Sequence, residues 1–94
     1  MVRHIVCWKL KEENKDNNAL LIKQKLENLV GKIDEIKDLR VGINENGGEY
    51  GIILETTFES MDALKTYDGH PLHQEVRTFI CSVVESRIAV DYNF

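Results

Sequence analysis

The sequence predicts an α+β fold: one antiparallel sheet of four strands with two helices on one side. Three observations carry this. Short segments such as "VRHIVCWKL" and "YGIILETTF" alternate with period two, which is the signature of a strand. Two other segments repeat their apolar residues at helical spacing. The order along the chain is strand, helix, strand, strand, helix, strand, the split βαβ arrangement of ferredoxin-like folds. At 94 residues the chain forms a single domain, 1–94, with no linker, repeat or low-complexity stretch.

The first strand sets Val2, His4, Val6, Trp8 and Leu10 on one face, and Arg3, Ile5, Cys7 and Lys9 on the other. Asp16 to Ile33 reads as a helix. There Leu26, Leu29, Val30 and Ile33 follow Ile22 on one stripe, while Lys23, Lys25 and Glu27 point outward. "LRVGI" is the second strand, "NENGGE" supplies glycines for a hairpin turn, and "YGIILETTF" is the third strand. Ser60 caps a short helix running to about Tyr67, and Asp62 suits the positive end of its dipole. Gly69 ends that helix. Pro71 opens the next at a position where its missing N–H costs nothing, and this helix, to about Ser82, buries Leu72, Val76, Phe79, Ile80 and Val83. "VESRIAVDY" is the last strand.

Charge narrows the function classes. The net charge is −4 and no lysine or arginine cluster could track phosphates, which argues against nucleic acid and against an anionic membrane surface. No segment approaches the roughly 20 apolar residues that span a bilayer, and the N-terminal apolar run is too short for a signal peptide. Cys7 and Cys81 lack CxxC spacing and sit in apolar surroundings. They read as buried, reduced thiols, which fits a cytoplasmic protein.

Two helices cover only one side of a sheet, yet the strands are apolar on both. Val6 and Trp8 oppose Ile5 and Cys7, and Ile52 and Leu54 oppose Ile53. An uncovered face of that kind exceeds the few hundred Å² of apolar patch usual on a soluble monomer. The expectation is a homodimer whose sheets pack face to face.

Three stretches taken together, "MVRHIVCWKL", the "HPLH" entering the last helix and the closing "RIAVDY", resemble the stress-responsive dimeric A/B-barrel (Dabb) domain nearly end to end. The resemblance implies a ferredoxin-like protomer pairing into a dimeric α+β barrel. The family includes plant stress proteins that assemble into stable rings and a plant polyketide cyclase that closes a linear tetraketide without metal or cofactor. The wider group includes cofactor-free quinol monooxygenases and haem-degrading enzymes, so the fold does not choose a reaction.

Carried over residue by residue, the resemblance to the cyclase makes Tyr67 and His73 an acid/base pair, with His4 and Asp91 also matching. The chemistry is coherent. A neutral imidazole takes a proton from carbon beside a carbonyl, a phenol hydrogen-bonds the enolate oxygen, and a carboxylate such as Asp91 fixes an imidazole tautomer. The expected cleft lies between helices and sheet, with catalytic residues His73, Tyr67 and Asp91 and binding residues His4, Val6, Trp8, Ile52 and Leu54. The cyclase has a histidine where this chain has Ile52, so the pocket is expected to be less polar there.

Structural roles compete with each assignment. His70 and Pro71 serve as a helix entry. His73 hydrogen-bonds Asp91 or a backbone carbonyl, His4 is a core histidine with one partner, Tyr67 covers the core, and Asp91 pairs with Arg87 or Arg3. A metal or haem is disfavoured because Pro71 turns His70 away from His73 and no carboxylate or thiol stands at ligand spacing. "NGGEYG" lies in a hairpin, not before a helix, so no phosphate loop is present, and no cofactor is expected. Three functions follow: a small-molecule-binding dimer, a cofactor-independent acid/base enzyme, or a stress-induced assembly module whose histidines only complete hydrogen bonds.

Overall fold

Strand β1 (Val2–Leu10) occupies an interior position in the sheet and fixes the arrangement of everything else. The computed structural model describes residues Met1–Phe94. After β1 come α1 (Lys15–Glu27), β2 (Asp38–Ile43), β3 (Ile52–Phe58), α2 (Met61–Gly69), α3 (Pro71–Val83) and β4 (Val84–Asn93). The sheet order is β2-β3-β1-β4 and all pairings are antiparallel, the ferredoxin-like topology. The helical layer over one face holds three helices, because the second helical region divides at His70 into α2 and α3, the break expected from Gly69 and Pro71.

The register gives each face its residues. Val6 pairs with Leu54 and Ala89, Trp8 with Ile52 and Arg87, and His4 with Thr56 and Asp91. Directly paired residues point to the same side, so all of these lie on the face that bears the helices. Val2, Val6, Trp8, Ile52, Leu54 and Phe58 join Ile22 and Leu26 of α1 and Ile80 of α3 in one core. On the other face Ile5 and Cys7 of β1 and Ile53 of β3 are half-buried, while Ile88, Val90 and Tyr92 of β4 are 49%, 54% and 45% exposed. Arg3, whose Nε donates to Thr57 Oγ1 at 3.1 Å, sits at the margin of this patch. The two-sided apolar pattern of the sequence is therefore real, and the chain's own helices cover only one of its sides.

The caps match expectation. Ser60 Oγ accepts from the Ala63 N–H at 3.1 Å, and His70 Nδ1 accepts from the Leu72 N–H at 3.1 Å, with Pro71 in the first turn of α3. Asn44 organises the β2–β3 connection, its Oδ1 accepting from the Asn46 N–H and its Nδ2 donating to the Tyr50 carbonyl, while Gly47 takes φ +78°.

Two expectations require correction. The first helix ends at Glu27, not Ile33. The chain beyond it continues in turns, with Gly31 at φ +84°, yet still delivers Leu29 and Ile33 to the core. Their spacing extends the apolar stripe after the helix has stopped. Cys81 is exposed and not buried, and Cys7 is half-buried on the uncovered sheet face; both thiols are free. No helix is long and apolar enough to cross a membrane.

Phe58 is fully enclosed and packs on Tyr67 with ring centroids 4.9 Å apart. Phe58→Ala is expected to destabilise the fold by about 3–5 kcal/mol, read from the shift in urea midpoint.

Candidate functional site

A cleft of about 380 Å³ opens between α3 and the β1–β4 half of the sheet. That volume falls within the roughly 300–1,000 Å³ of small-molecule sites. Its apolar wall is Val6, Trp8, Leu26, Leu54, Ile80 and Val84, and its polar groups include His4, His73, Arg77 and Arg87. The cleft exists because β4 is an edge strand that the helices do not reach: every β4 residue after Val84 is exposed.

Each histidine is held by one nitrogen. His4 Nδ1 donates to Asp91 Oδ1 at 2.5 Å, an ion pair if the ring is protonated. The two stand opposite one another on β1 and β4, so the contact follows from the strand register. His73 Nδ1 lies 3.0 Å from the Asp68 carbonyl oxygen, which can only accept, so Nδ1 carries the proton and Nε2 keeps its lone pair. Gln74 Nε2 donates to the same carbonyl at 2.6 Å, tying the start of α3 to the end of α2. Neither histidine Nε2 has a hydrogen-bond partner within the chain, and both rings line the cleft.

Tyr67 lies beneath this pair. Its ring centroid is 4.3 Å from that of His73 and 6.4 Å from that of His4. Its hydroxyl is buried without a hydrogen-bond partner, as is Thr56 Oγ1. Burial pushes the Tyr67 phenol well above its usual range, reinforced by the Asp68 charge and opposed by Arg87, so the group stays protonated. Burial also holds His73 below the usual 6.5. The Asp68 carbonyl and carboxylate oppose that shift, while Arg77 and His4 add to it.

The structure thus brings His4, Val6, Trp8, Leu54 and His73 to one cleft. Tyr67 is buried just behind its surface against His73, and Asp91, on the exposed edge strand, flanks it against His4. Ile52 does not line it: the cleft reaches β3 at Leu54, opposite Val6, and stops short of Ile52, which is packed into the core opposite Trp8. The partner of Asp91 is His4, and not Arg87, Arg3 or His73. Arg77 and Arg87 are cleft residues that the sequence reading did not assign there. Arg87 shares the parity of Asp91 on β4 and Arg77 follows His73 by one helical turn, so the signal was present in the spacing. No group of three or more histidine, cysteine or acidic side chains is arranged to hold a metal ion.

Comparison with known proteins places this geometry. A family model described as the stress responsive A/B barrel domain matches residues 2–94. A dimeric protein of unknown function and ferredoxin-like fold from Bacteroides fragilis superposes with a TM-score of 0.92 at 36% identity, over 99% of this chain and 95% of that one. A stress-response A/B barrel domain-containing protein from Arabidopsis thaliana is 28% identical over 95 residues, spanning 96% of this chain and 83% of the relative. Hydroxynitrile lyase from Passiflora edulis shares the fold, with a TM-score of 0.85 at 21% identity over 97% of this chain and 90% of the enzyme. With the match running over nearly every residue, from the first strand to the last, the chain belongs to the stress responsive A/B barrel domain family.

Proposed function

We propose that this chain works as a homodimer, sheet against sheet, in which each protomer binds a small apolar or carbonyl-bearing ligand in the cleft between α3 and the sheet. The observation that carries the ligand reading is the pair of imidazoles: His4 and His73 each spend Nδ1 on the fold and have Nε2 unpartnered at one cleft with an apolar wall. A purely architectural role would favour pairing both nitrogens. The dimer reading rests on the uncovered face, where Ile5, Cys7, Ile53, Ile88, Val90 and Tyr92 form an apolar centre with Arg3 and Lys9 at its edge. An apolar centre within a charged rim is the usual anatomy of a stable interface. The 36% identical relative from Bacteroides fragilis is itself described as dimeric.

A second reading is favoured by the two protonation states. His73 is held as neutral imidazole and Tyr67 as neutral phenol, in ring contact at 4.3 Å. That is the starting state for proton abstraction beside a carbonyl without metal or cofactor, His73 as base and Tyr67 as hydrogen-bond donor to the enolate. In the resting fold the Tyr67 hydroxyl lies below the cleft surface, so ligand binding is the primary reading and turnover the secondary one.

Three measurements follow. Val90 is 54% exposed in the lone protomer, so Val90→Lys costs the fold little and the interface much. Sedimentation at micromolar concentration is expected to show a dimer for the parent and a monomer for the variant, and a monomeric parent refutes the pairing. In a thermal-shift screen of aromatic polyketides, quinones and acyl thioesters, at least one compound is expected to raise Tm. His73→Ala is expected to weaken its binding roughly three- to tenfold, the worth of one hydrogen bond. Unchanged affinity with a lower Tm assigns His73 to the architecture.

The third measurement is pH dependence. Because the folded pKa of His73 is lowered, the unfolded chain binds more protons below its value of about 6.5. Stability contributed by the neutral ring is therefore present above that pH and lost as pH falls. Tm is expected to decline from about pH 7 to about pH 5, before most carboxylates titrate. The decline is expected to be shallower in His73→Gln.

A further inference from the structure

The charges around the cleft are unevenly matched. Two of the acids there are engaged, Glu85 with Lys9 at 3.3 Å and Asp91 with His4 at 2.5 Å, while the Asp68 carboxylate stands 4.0 Å from Nδ1 of the neutral His73 and pairs with no cation. The two arginines are not. Arg77 of α3 and Arg87 of β4 both line the cleft, on opposite walls, and neither forms an ion pair or a side-chain hydrogen bond within the chain. Two unpaired guanidinium groups at one opening stand out in a chain of net charge −4.

Both positions open onto the cleft. Arg87 is the register partner of Trp8, on the helix-covered side of β4, and Arg77 lies one turn beyond His73 on the same side of α3. Their charges are felt in the interior, since Arg77 helps hold His73 neutral and Arg87 draws the Tyr67 phenol back toward its ordinary range. A guanidinium has five donors in a planar fork and meets a carboxylate, sulfonate or phosphate with paired hydrogen bonds. Beyond the arginines the walls turn apolar through Val6, Trp8, Leu54 and Ile80, and the imidazole Nε2 atoms supply the polar contacts.

Resting on the ligand-binding reading above, we infer that the ligand is an amphipathic organic anion: its acidic group is held by Arg77 and Arg87 and its apolar body lies along Val6, Trp8 and Leu54. The arginines then set ligand class, while the histidines meet whatever polar group the body carries.

The test uses two fluorescent probes of nearly the same ring system, 8-anilinonaphthalene-1-sulfonate and the uncharged N-phenyl-1-naphthylamine. Trp8 is the chain's one tryptophan and lines the cleft, so energy transfer from it reports occupancy there. The parent protein is expected to bind the sulfonate at least tenfold more tightly than the neutral probe. The double variant Arg77→Gln/Arg87→Gln is expected to lose that preference while retaining its affinity for the neutral probe. Both side chains are exposed, so the variant is expected to fold, with circular dichroism as the check. Equal affinities in the parent, or a preference that survives the double substitution, overturns the anion assignment and leaves the cleft as a neutral-ligand site. Energy transfer to neither probe overturns the cleft reading itself and the anion assignment with it. Competition by octanoate and by inorganic phosphate then separates a carboxylate ligand from a phosphorylated one.

Discussion

The alternation of β1 is the constraint on which the molecule rests. A strand with hydrogen-bonded neighbours on both sides and apolar residues on both faces must be covered twice. The helices supply one cover, over Val2, Val6, Trp8 and Leu10, all nearly excluded from solvent. They cannot supply the other, and Ile5 and Cys7 stay at a surface. The same parity that leaves Ile5 and Cys7 uncovered sets His4 on the helix-covered side. The uncovered apolar face and the cleft are thus the two faces of one strand, and a register slip of one residue would exchange them.

Local chemistry made most of the architecture legible. Strand periodicity, Ser60 as a cap and the His70–Pro71 entry each have a cause confined to a few residues, and each is found where its cause predicts. What misled was apolar spacing that outlives its element. Leu29 and Ile33 are buried at helical intervals from Ile22, but a turn with Gly31 in the left-handed region carries them there. Burial pattern reports where side chains go and says less about the backbone between them. Cys81 shows the reverse: apolar sequence neighbours in "FICSV" do not bury a residue whose helix stands at the rim of an opening.

The site was legible in its members and less so in its pairings. His4, Val6, Trp8, Leu54 and His73 share one opening because period two and period 3.6 both aim them at the space between sheet and helix. The partner of Asp91 depended on pairing residues 87 positions apart, which the order of elements does not supply until the register is known. Ile52 has the same parity as Leu54 on the same strand, yet only Leu54 reaches the opening, and parity carries no information about how far along a strand an opening extends. Arg77 and Arg87 were passed over for a related reason: a charged residue near an exposed edge reads as solvated, and only the lack of a carboxylate partner for either one distinguishes these two.

The cleft's outer wall is an edge strand, bonded along one side to β1 and barely touched by helix. In the lone protomer fraying it would break one ladder and uncover little core, but its other face carries Ile88, Val90 and Tyr92 of the uncovered patch, so anything laid over that patch also braces the strand. Arg87 and Asp91 stand on that same strand, so their places depend on what lies against both of its faces. The width of the opening is tied in this way to the condition of the opposite surface of the sheet.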